Sequence, residues 1–506
     1  MLRRTLLAAL GASALPLALP RTAAAAETAD PWRAGFAAAR ARDPRLIGYD
    51  SAPLAGFDAD VVTLEGRIPA GLSGVLLRTG PARHEVGAAR YHHWLDGDGM
   101  VQRFGIGAAG VTHRGRYVQT PKFTAEAAAG RMLAQAFGTA PAGVAPPRRT
   151  DEMNVANINM LRHAGRTMAL WEGGSPTEID PDDLSTRDFV TYSSDSAGLP
   201  FSAHPRHDAD GSLWNIGLLP GSGRLVLWHL GADGTMLSLD VLAVPREAGM
   251  IHDFVLTERH LLIPLPSLAV DPARVFAEGV SIVETYDWRP GQPFRLLVVD
   301  KGTRTLVKTI EMPPGFVFHF GNGWEDASGT IRVDACWYTD SSVLLSSMRE
   351  IMRGTFKAGT AAEARLLTID VAAGRASFAT VAPWSEFPRF DERFATRHSR
   401  QAFTVTSGNP WIETGATAGL LRFDRDSGVQ DRFAYGPGIM AEEHVFVPRA
   451  GGGEGEGWLV GTSLDTGAGR TRLAVFEATR LADGPLALAT LPYALPLGLH
   501  GTWVAA

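Results

Sequence analysis

FRLLVVDKGTRTLVKTI, residues 294–310, contains two apolar runs that alternate like β-strands and are separated by an acidic turn. The same order of strand, acidic turn and strand returns in ARLLTIDVAAGRASFATV (364–381), AGLLRFDRDSGVQDRFA (418–434) and TRLAVFEATRLADGPLALATL (471–491). The first leucines of the four stretches, Leu296, Leu366, Leu420 and Leu473, are 70, 54 and 53 residues apart. Repetition at such intervals is typical of four-stranded blades arranged around an axis.

The length of the chain predicts how many blades there are. About 480 residues remain after an N-terminal leader, and at roughly 60 to 70 residues a blade they predict one seven-bladed β-propeller, an all-β fold. A pair of packed β-sandwich domains is the alternative. No Pro/Ser-rich linker divides the chain, however, and GGGEGEG at 451–457 is typical of a surface hairpin loop. Helical periodicity is confined to residues 31–41 and 125–137.

The first 26 residues have the pattern of a secretory signal peptide. A charged start, MLRR, precedes an apolar middle and small residues at 23–26. The apolar part is too short, and too interrupted by Pro16 and Pro20, for a transmembrane helix. The adjacent Arg3 and Arg4 are typical of the twin-arginine export route. We therefore expect a signal peptide at 1–26, a propeller domain at 27–506 and a periplasmic location.

The composition argues against nucleic acid as a partner. The chain has 506 residues, of which 45% are hydrophobic and 20% charged, with a formal net charge of −6. This is an ordinary globular composition without the basic excess of a nucleic-acid-binding protein. The single cysteine, Cys336, cannot form an intrachain disulfide, and its apolar context predicts buried packing.

Four of the fourteen histidines stand in strand-like, apolar surroundings: His204, His252, His319 and His500. Burying an imidazole without a partner costs about 1–3 kcal/mol, so each of the four needs one. Ordinary hydrogen bonds in the core are one possibility. A metal is the other, because the innermost strands of a propeller converge on its axis and can bring together residues far apart in sequence.

The stretch around His319 predicts which residues share its face of the strand. In FVFHFGNGWED (316–326), strict alternation places Phe316, Phe318 and Phe320 on one face of a strand. Val317 and His319 are then predicted to share the other face.

Ten motifs, one of them the stretch around His319, occur in a fixed order between Gly71 and Trp503. They are GLSGVLLRTGP, YHHWLDGDGMVQRF, RGRYVQT, VANIN followed by ALWEGGSPTEID, SAHPRHDADGSLWNIG, MIHDFVLT, FVFHFGNGWED, EFPRF, EHVFVPR and LHGTW. Together they resemble the ordered motifs of the carotenoid cleavage oxygenase family, which includes carotenoid-, apocarotenoid- and stilbene-cleaving non-haem iron dioxygenases.

This resemblance implies a seven-bladed propeller with one Fe(II) per chain on its axis and an apolar cap of loops and helices. By motif, the four metal ligands are His204, His252, His319 and His500. The family places glutamates behind three of these histidines, and by motif they are Glu172, Glu386 and Glu443. A carboxylate there fixes the tautomer and the orientation of a metal-binding imidazole. Glu442 is the alternative to its neighbour Glu443.

The implied activity is oxidative cleavage of a conjugated C=C bond of a carotenoid or apocarotenoid, with O2 as co-substrate and two carbonyl products. Four neutral ligands leave two of six metal positions open, and no catalytic residue beyond the metal site is needed. The alternatives are cleavage of a lignostilbene or phenylpropene and, in another class, a non-catalytic binding propeller.

The substrate is expected to be a hydrophobic small molecule. In the stilbene-cleaving branch of the family, a tyrosine and a lysine hold the phenolic hydroxyl group. Tyr117 is the candidate tyrosine, but the loop before VANIN carries Arg148 and Arg149 and no lysine. Lys122 is the only lysine nearby in sequence, and this weak match favours the carotenoid branch. The apolar insertions at 127–147 and 261–280 predict either a peripheral membrane contact or plain packing against the propeller.

Overall fold

The repeats found in the sequence are the outer halves of four blades. The computed structural model describes residues 30–60, 62–357, 359–406 and 418–506. Its main sheets form a seven-bladed β-propeller, and each repeat supplies the third and fourth strands of one blade, counted from the axis. The predicted fold class is therefore confirmed, and the alternative of two β-sandwiches is wrong. The predicted signal peptide lies outside the described residues.

The strands are antiparallel throughout the blades. From the axis outward, blade 1 contains Gly501–Ala505, Gly74–Arg83, Asp98–Gly107, Gly110–Tyr117 and Phe57–Ala59. Blade 2 contains Asn159–His163, Arg166–Leu170, Thr177–Ile179 and Thr186–Phe189. Blade 3 contains Arg206–His207, Leu213–Leu219, Arg224–Leu230 and Met236–Ala243. Blade 4 contains Val255–Leu256, His260–Leu265, Phe294–Asp300 and Leu306–Met312.

The remaining blades continue the same order. Blade 5 contains Phe316–Glu325, Thr330–Tyr338, Glu363–Asp370 and Arg375–Ala382. Blade 6 contains Ser385–Phe390, Gln401–Thr406, Gly419–Asp424 and Gln430–Ala434. Blade 7 contains Ile439–Pro448, Gly457–Asp465, Arg470–Glu477, Pro485–Thr490 and Thr63–Gly66. Two ribbons stand outside the blades and pair Glu85–Val86 with Ala89–Arg90 and Leu268–Val270 with Tyr286–Trp288.

Both ends of the chain close the ring. The last strand, Gly501–Ala505, pairs with Gly74–Arg83 in blade 1. The early strand Thr63–Gly66 completes blade 7 by pairing with Pro485–Thr490. Closure of this kind leaves only short outer edges unpaired.

Short helices lie in the connections. The α-helices are Pro31–Arg40, Pro121–Ala129, Ala273–Glu278 and Met348–Glu350. The 3-10 helices are Pro44–Tyr49, Trp94–Asp96, Thr150–Met153, Ile282–Thr285, Ile351–Arg353, Glu392–Phe394 and Leu481–Asp483, and Val343–Ser347 is a π-helical segment. None of the described helices has the length and apolar character needed to cross a bilayer.

The first predicted helix is confirmed, and the second is displaced. The helix predicted at 125–137 begins at Pro121, because the Thr120 hydroxyl accepts a hydrogen bond from the Phe123 N–H and Pro121 occupies the first turn. It ends at Ala129 because Gly130 follows in the left-handed conformation, with φ of 63°.

Apolar side chains fill the spaces between neighbouring blades. One cluster between blades 4 and 5 joins Val255, Phe294, Val317 and Leu367. The largest cluster instead joins Phe316 and Phe318 to the helical segment that holds Leu344 and Met352. The apolar cap over the site stays a prediction.

Candidate metal centre

Four buried histidines from four blades meet near the axis. His204 and His252 lie just before the innermost strands of blades 3 and 4. His319 lies within the innermost strand of blade 5, and His500 directly precedes the last strand in blade 1. One ring nitrogen of each lies within 4.8 Å of the corresponding nitrogens of the others. The structure therefore brings together all four histidines singled out in the sequence.

A bulge at His319 explains its orientation. The pairing of Phe316–Glu325 with Thr330–Tyr338 shifts register between Val317 and Phe320. Phe316 and Phe318 consequently pack in one apolar cluster, while Phe320 joins Val317 in another. The predicted common face for the three phenylalanines is wrong for Phe320, because the bulge interrupts strict alternation.

Three of the four imidazoles face a carboxylate. The Nδ1 atom of His319 lies 2.5 Å from Glu386 Oε2, and that of His500 lies 2.8 Å from Glu443 Oε1. His252 Nδ1 contacts Glu172 Oε1. Among the described residues, His204 faces no carboxylate within ion-pair distance. Each carboxylate requires the proton at Nδ1, which leaves Nε2 of these three rings as a bare lone pair.

The bare nitrogens converge on one another. His252 Nε2 is 3.1 Å from His319 Nε2 and 3.0 Å from His204 Nε2. His500 Nε2 is buried and has no hydrogen-bond partner among the described residues. Two lone pairs at 3.1 Å, those of His252 and His319, cannot bond to each other, so this arrangement fits a cation held between them. Neutral imidazole is a preferred ligand of iron, zinc, copper and nickel.

Burial favours the neutral form of three of these histidines. It lowers the pKa of His204 and His252 well below the ordinary value, and neighbouring histidines lower these pKa values further. Burial also lowers the pKa of His500, against the opposing effect of Glu443. A neutral ring keeps its Nε2 lone pair available to a metal.

Further side chains fix the glutamates. The Tyr338 hydroxyl donates to Glu386 Oε1 at 2.7 Å. Arg389 donates to both oxygens of Glu443, at 2.9 and 2.8 Å. Burial opposes ionisation of Glu443, but Arg389 and His500 outweigh it and hold its pKa well below the usual range. Sequence reasoning missed Tyr338 and Arg389, although Arg389 stands in the quoted EFPRF motif and a charged residue in an inner strand is itself a signal.

The structure assigns different contacts to the adjacent Glu442 and Glu443. Glu443 contacts His500, whereas Glu442 pairs with Arg78 and accepts the Gly498 N–H at 2.6 Å. The nearby His444 hydrogen-bonds Tyr435 and a backbone carbonyl.

Tyr117 is not among the contacts of this cluster. Its buried hydroxyl donates to the carbonyl oxygens of Ala52 and Ala82, at 2.9 and 3.0 Å, and its ring stacks on Phe123. Its predicted contact with substrate stays a prediction. Lys122, by contrast, lies 2.5 Å from the Tyr91 hydroxyl oxygen and also contacts the carboxylates of Asp98 and Glu126.

A polar cavity adjoins the histidines. Its volume is about 150 Å³, and its lining includes His204, His319, His500, Arg206, Arg389 and Asp253. Arg206 is paired with Asp253 at 2.5 Å, so this charged wall is internally neutralised. The volume suffices for a few water molecules or for dioxygen.

The comparisons with known proteins agree with this geometry. The family model described as retinal pigment epithelial membrane protein matches residues 54–505. Apocarotenoid-15,15'-oxygenase of Synechocystis is 29% identical over 90% of this chain and 95% of that protein. Isoeugenol monooxygenase of Pseudomonas nitroreducens is 26% identical over 91% of this chain and 98% of that protein. A solved structure of a Synechocystis apocarotenoid oxygenase variant has a TM-score of 0.83 and 27% identity, covering 92% of this chain and 99% of its own. The chain therefore belongs to the retinal pigment epithelial membrane protein and carotenoid cleavage oxygenase family.

Proposed function

We propose that the chain is a non-haem Fe(II) dioxygenase that cleaves a conjugated C=C bond of a carotenoid or apocarotenoid into two carbonyl products. The observation that carries this proposal is the convergence of the bare Nε2 atoms of His252 and His319, 3.1 Å apart, from rings whose Nδ1 protons face carboxylates. A non-catalytic propeller has no need for such an arrangement, because ordinary core histidines donate and accept hydrogen bonds.

The metal would be held by His204, His252, His319 and His500. Bound there, Fe(II) would supply the redox chemistry that activates dioxygen. One O2 provides one oxygen atom to each carbon of the broken double bond, so two carbonyl compounds form and no further oxidant or reductant is required.

The residues of the chain hold the reactants in place. Glu172, Glu386 and Glu443 fix the three imidazoles that they contact. The ring centroid of Phe318 lies 5.2 Å from that of His252, and the ring centroid of Phe387 lies 5.5 Å from that of His319. Phe387 also lines the cavity beside the histidines, so an apolar alkene would meet an aromatic ring there.

Metal binding tests the proposal most directly. The purified full chain, reconstituted anaerobically, is expected to hold one Fe(II) per molecule, and His319→Ala is expected to lose it. His113→Ala is the matched control, because His113 is equally buried but hydrogen-bonds only Gln102 and Tyr493. A folded wild-type chain that takes up no Fe(II) would overturn the enzyme proposal.

A second candidate is cleavage of a hydroxylated stilbene or phenylpropene. The buried Tyr91 and Lys122 pair favours it, because family members that cleave stilbenes hold the phenol with such a pair, and isoeugenol monooxygenase is a relative. We rank it second because Tyr91, Asp98 and Glu126 already occupy the three N–H groups of Lys122.

A substrate panel separates the two candidates. The Fe(II)-loaded chain is incubated with an apocarotenal, a hydroxystilbene and a phenylpropene, and the aldehyde products are identified by mass. We expect cleavage of the apocarotenal, with little effect of Tyr91→Phe. Turnover of only the phenolic substrates, lost in Tyr91→Phe, would establish the second candidate instead.

We further propose export to the periplasm by the twin-arginine route, on the basis of Arg3 and Arg4. The test is cell fractionation of the full chain and of an Arg3→Lys/Arg4→Lys variant. The variant is expected to accumulate in the cytoplasm. Equal export of both would exclude this route.

We also propose a peripheral membrane contact at the two apolar insertions. Phe276 is 69% exposed and Leu133 is 38% exposed. A 2.9 Å hydrogen bond joins the Phe137 carbonyl, in the first insertion, to the N–H of Val283, three residues beyond the second. Co-sedimentation with phosphatidylglycerol vesicles is expected to fall in Phe276→Ser/Leu133→Ser. Val429→Ser, at a side chain 56% exposed elsewhere, is the control. Equal sedimentation of all variants would exclude the contact.

A further inference from the structure

His500 differs from the other three histidines in how the chain reaches it. It directly precedes Gly501–Ala505, which pairs with the sequence-distant Gly74–Arg83 of blade 1, while the chain arrives there from Pro485–Thr490 of blade 7. The other three lie in or before strands beyond which the chain continues into further strands of the same blade. The position of the His500 ring therefore depends on whatever holds the turn at 498–501.

Backbone hydrogen bonds fix part of this turn. The Leu499 N–H donates to the Thr79 carbonyl at 2.9 Å, and the Thr79 N–H donates to the His500 carbonyl at 3.0 Å. The His500 N–H donates to the Ile158 carbonyl at 3.2 Å. These bonds attach the turn to blades 1 and 2. The segment that leads from blade 7 into the turn is held by side chains instead.

A buried ion pair fixes that approach. Arg78 Nη1 lies 2.8 Å from Glu442 Oε2, and the Arg78 guanidinium also contacts Glu442 Oε1. Glu442 in turn accepts the Gly498 N–H at 2.6 Å and the Thr462 hydroxyl at 2.7 Å. Arg78, Glu442 and Thr462 are all buried. Blade 1, blade 7 and the residue two positions before His500 thus share one network.

The packing of Arg78 covers both glycines that flank Leu499 and His500. A Cβ at Gly498 would lie 1.9 Å from the Arg78 guanidinium, and one at Gly501 would lie 3.0 Å from Arg78 Cβ. The guanidinium therefore lies directly against the backbone of the turn. A bulge between Ala441 and His444 allows Glu442 and Glu443, neighbours on one strand, to reach the same turn.

We infer that Arg78 and Glu442 are positioning residues that set the metal affinity of the site by holding the 498–501 turn, and with it the His500 ring, in place. The inference rests on the proposed metal site. Glu443 contacts the ring at Nδ1 and also accepts the Gly501 N–H at 2.9 Å, whereas Arg78 and Glu442 hold the backbone on the other side of the ring, at Gly498.

A purely stabilising role is a poor explanation for this pair. An apolar pair of similar volume is often as stable as a buried ion pair or more so, because two charges must otherwise be removed from water. A bidentate arginine and carboxylate pair, however, fixes geometry in a way that apolar contacts do not. The expected signature is therefore a loss of metal affinity that exceeds the loss of stability.

The experiment measures Co2+ affinity of the purified full chain by competition with a chelator, together with the absorption spectrum of bound Co2+ and the Tm of the metal-free protein. For Arg78→Met/Glu442→Met we expect affinity to fall about 10- to 100-fold, the range seen when groups behind metal ligands are lost. We also expect the spectrum to change, because His500 is displaced. Glu442→Gln keeps an acceptor for the Gly498 N–H, and we expect a smaller fall in affinity.

Arg90→Met is the matched control. The Arg90 side chain is equally buried, but it contacts Glu85 and the carbonyls of Tyr49 and Met352, away from the turn. We expect it to lower Tm without changing Co2+ affinity or spectrum. Wild-type affinity and spectrum in the folded double variant, or in Glu442→Gln should the double variant not fold, would overturn the inference. A wild-type chain that binds no Co2+ would overturn the proposed function as well.

Discussion

In blade 5 the strand nearest the axis, Phe316–Glu325, buries nine of its ten residues, whereas the outermost strand, Arg375–Ala382, buries only Ala382. The inner strand carries His319, and its pairing shifts register around that residue. The outer strand alternates between exposed and half-buried positions and belongs to the repeat seen in the sequence.

The same contrast holds in blades 6 and 7. Their innermost strand pairs shift register next to Glu386 and around Glu443, the two glutamates that contact His319 and His500. Bulges aim side chains that strict alternation would turn away. The outer strands are constrained mainly by packing between blades, so their pattern repeats, while the inner strands diverge because each presents a different part of the site.

The largest expected effect on stability lies in the outer strands. Leu367 is fully buried between blades 4 and 5. Its replacement by alanine is expected to lower the free energy of unfolding by about 2–5 kcal/mol. Leu237→Ala is the control, because Leu237 is 56% exposed on an outermost strand. Chemical denaturation measures the free energy, and metal titration of the folded protein measures the affinity. A change of more than about twofold in metal affinity for Leu367→Ala would contradict the view that the outer strands affect stability but not the site.

The converse effect is expected on an inner strand. Glu386→Gln removes the charge that accepts the His319 Nδ1 proton and is expected to weaken metal binding about 10- to 100-fold, or about 1.4–2.7 kcal/mol. The loss in Tm of the metal-free protein should be small, since glutamine has the same shape.

Glu325→Gln is the matched control for this change. Glu325 also contacts a histidine, with His260 Nδ1 at 2.9 Å, but His260 is not one of the four that converge. Metal titration by calorimetry compares the two variants. Equal losses of affinity in both would mean that carboxylate and histidine pairs act on the site through general stability alone.

The contrast between inner and outer strands explains which features could be predicted from the sequence. The repeat predicted the propeller because Leu296, Leu366, Leu420 and Leu473 lie at equivalent places in outer strands. The four histidines were identified from their apolar surroundings and motifs. The face of Phe320 and the contacts of Glu442 with Arg78 and Gly498 were not predictable, because the bulges that decide them arise from packing against neighbouring blades.

An acid-induced loss of stability is expected from an outer strand. Burial, with a further contribution from Arg78, lowers the pKa of His113 to about 3, whereas the unfolded chain takes up this proton near pH 6.5. Since the unfolded state then binds more protons, stability falls as pH drops below about 6.5 and the loss ends near pH 3. Between pH 7 and 5.5 the expected loss is about 1 kcal/mol.

The comparison with His113→Gln isolates this contribution. The variant cannot take up a proton at this position, so its free energy of unfolding, measured by denaturation of the metal-free protein, should fall less over the same pH interval. Parallel pH profiles for the variant and the wild type would show that His113 titrates normally in the fold. Metal affinity at pH 7 should be equal in both, because His113 hydrogen-bonds Gln102 and Tyr493 rather than the site.

The smallest effect is expected where an outer strand meets solvent. Arg295 and Glu311 form an ion pair 3.1 Å long across the outer two strands of blade 4, and the Glu311 side chain is 61% exposed. Water and salt screen such a pair, so Glu311→Ala should change the free energy of unfolding by less than about 1 kcal/mol and leave metal affinity unchanged.

Arg389→Ala gives the contrast. It removes the partner of the buried Glu443 and leaves an unpaired buried charge next to His500. Denaturation and metal titration of both variants at two salt concentrations distinguish them: only the Glu311 pair should weaken with salt. If Glu311→Ala equalled Arg389→Ala in either measurement, ion pairs on the outer strands would matter to the site as much as those on the axis.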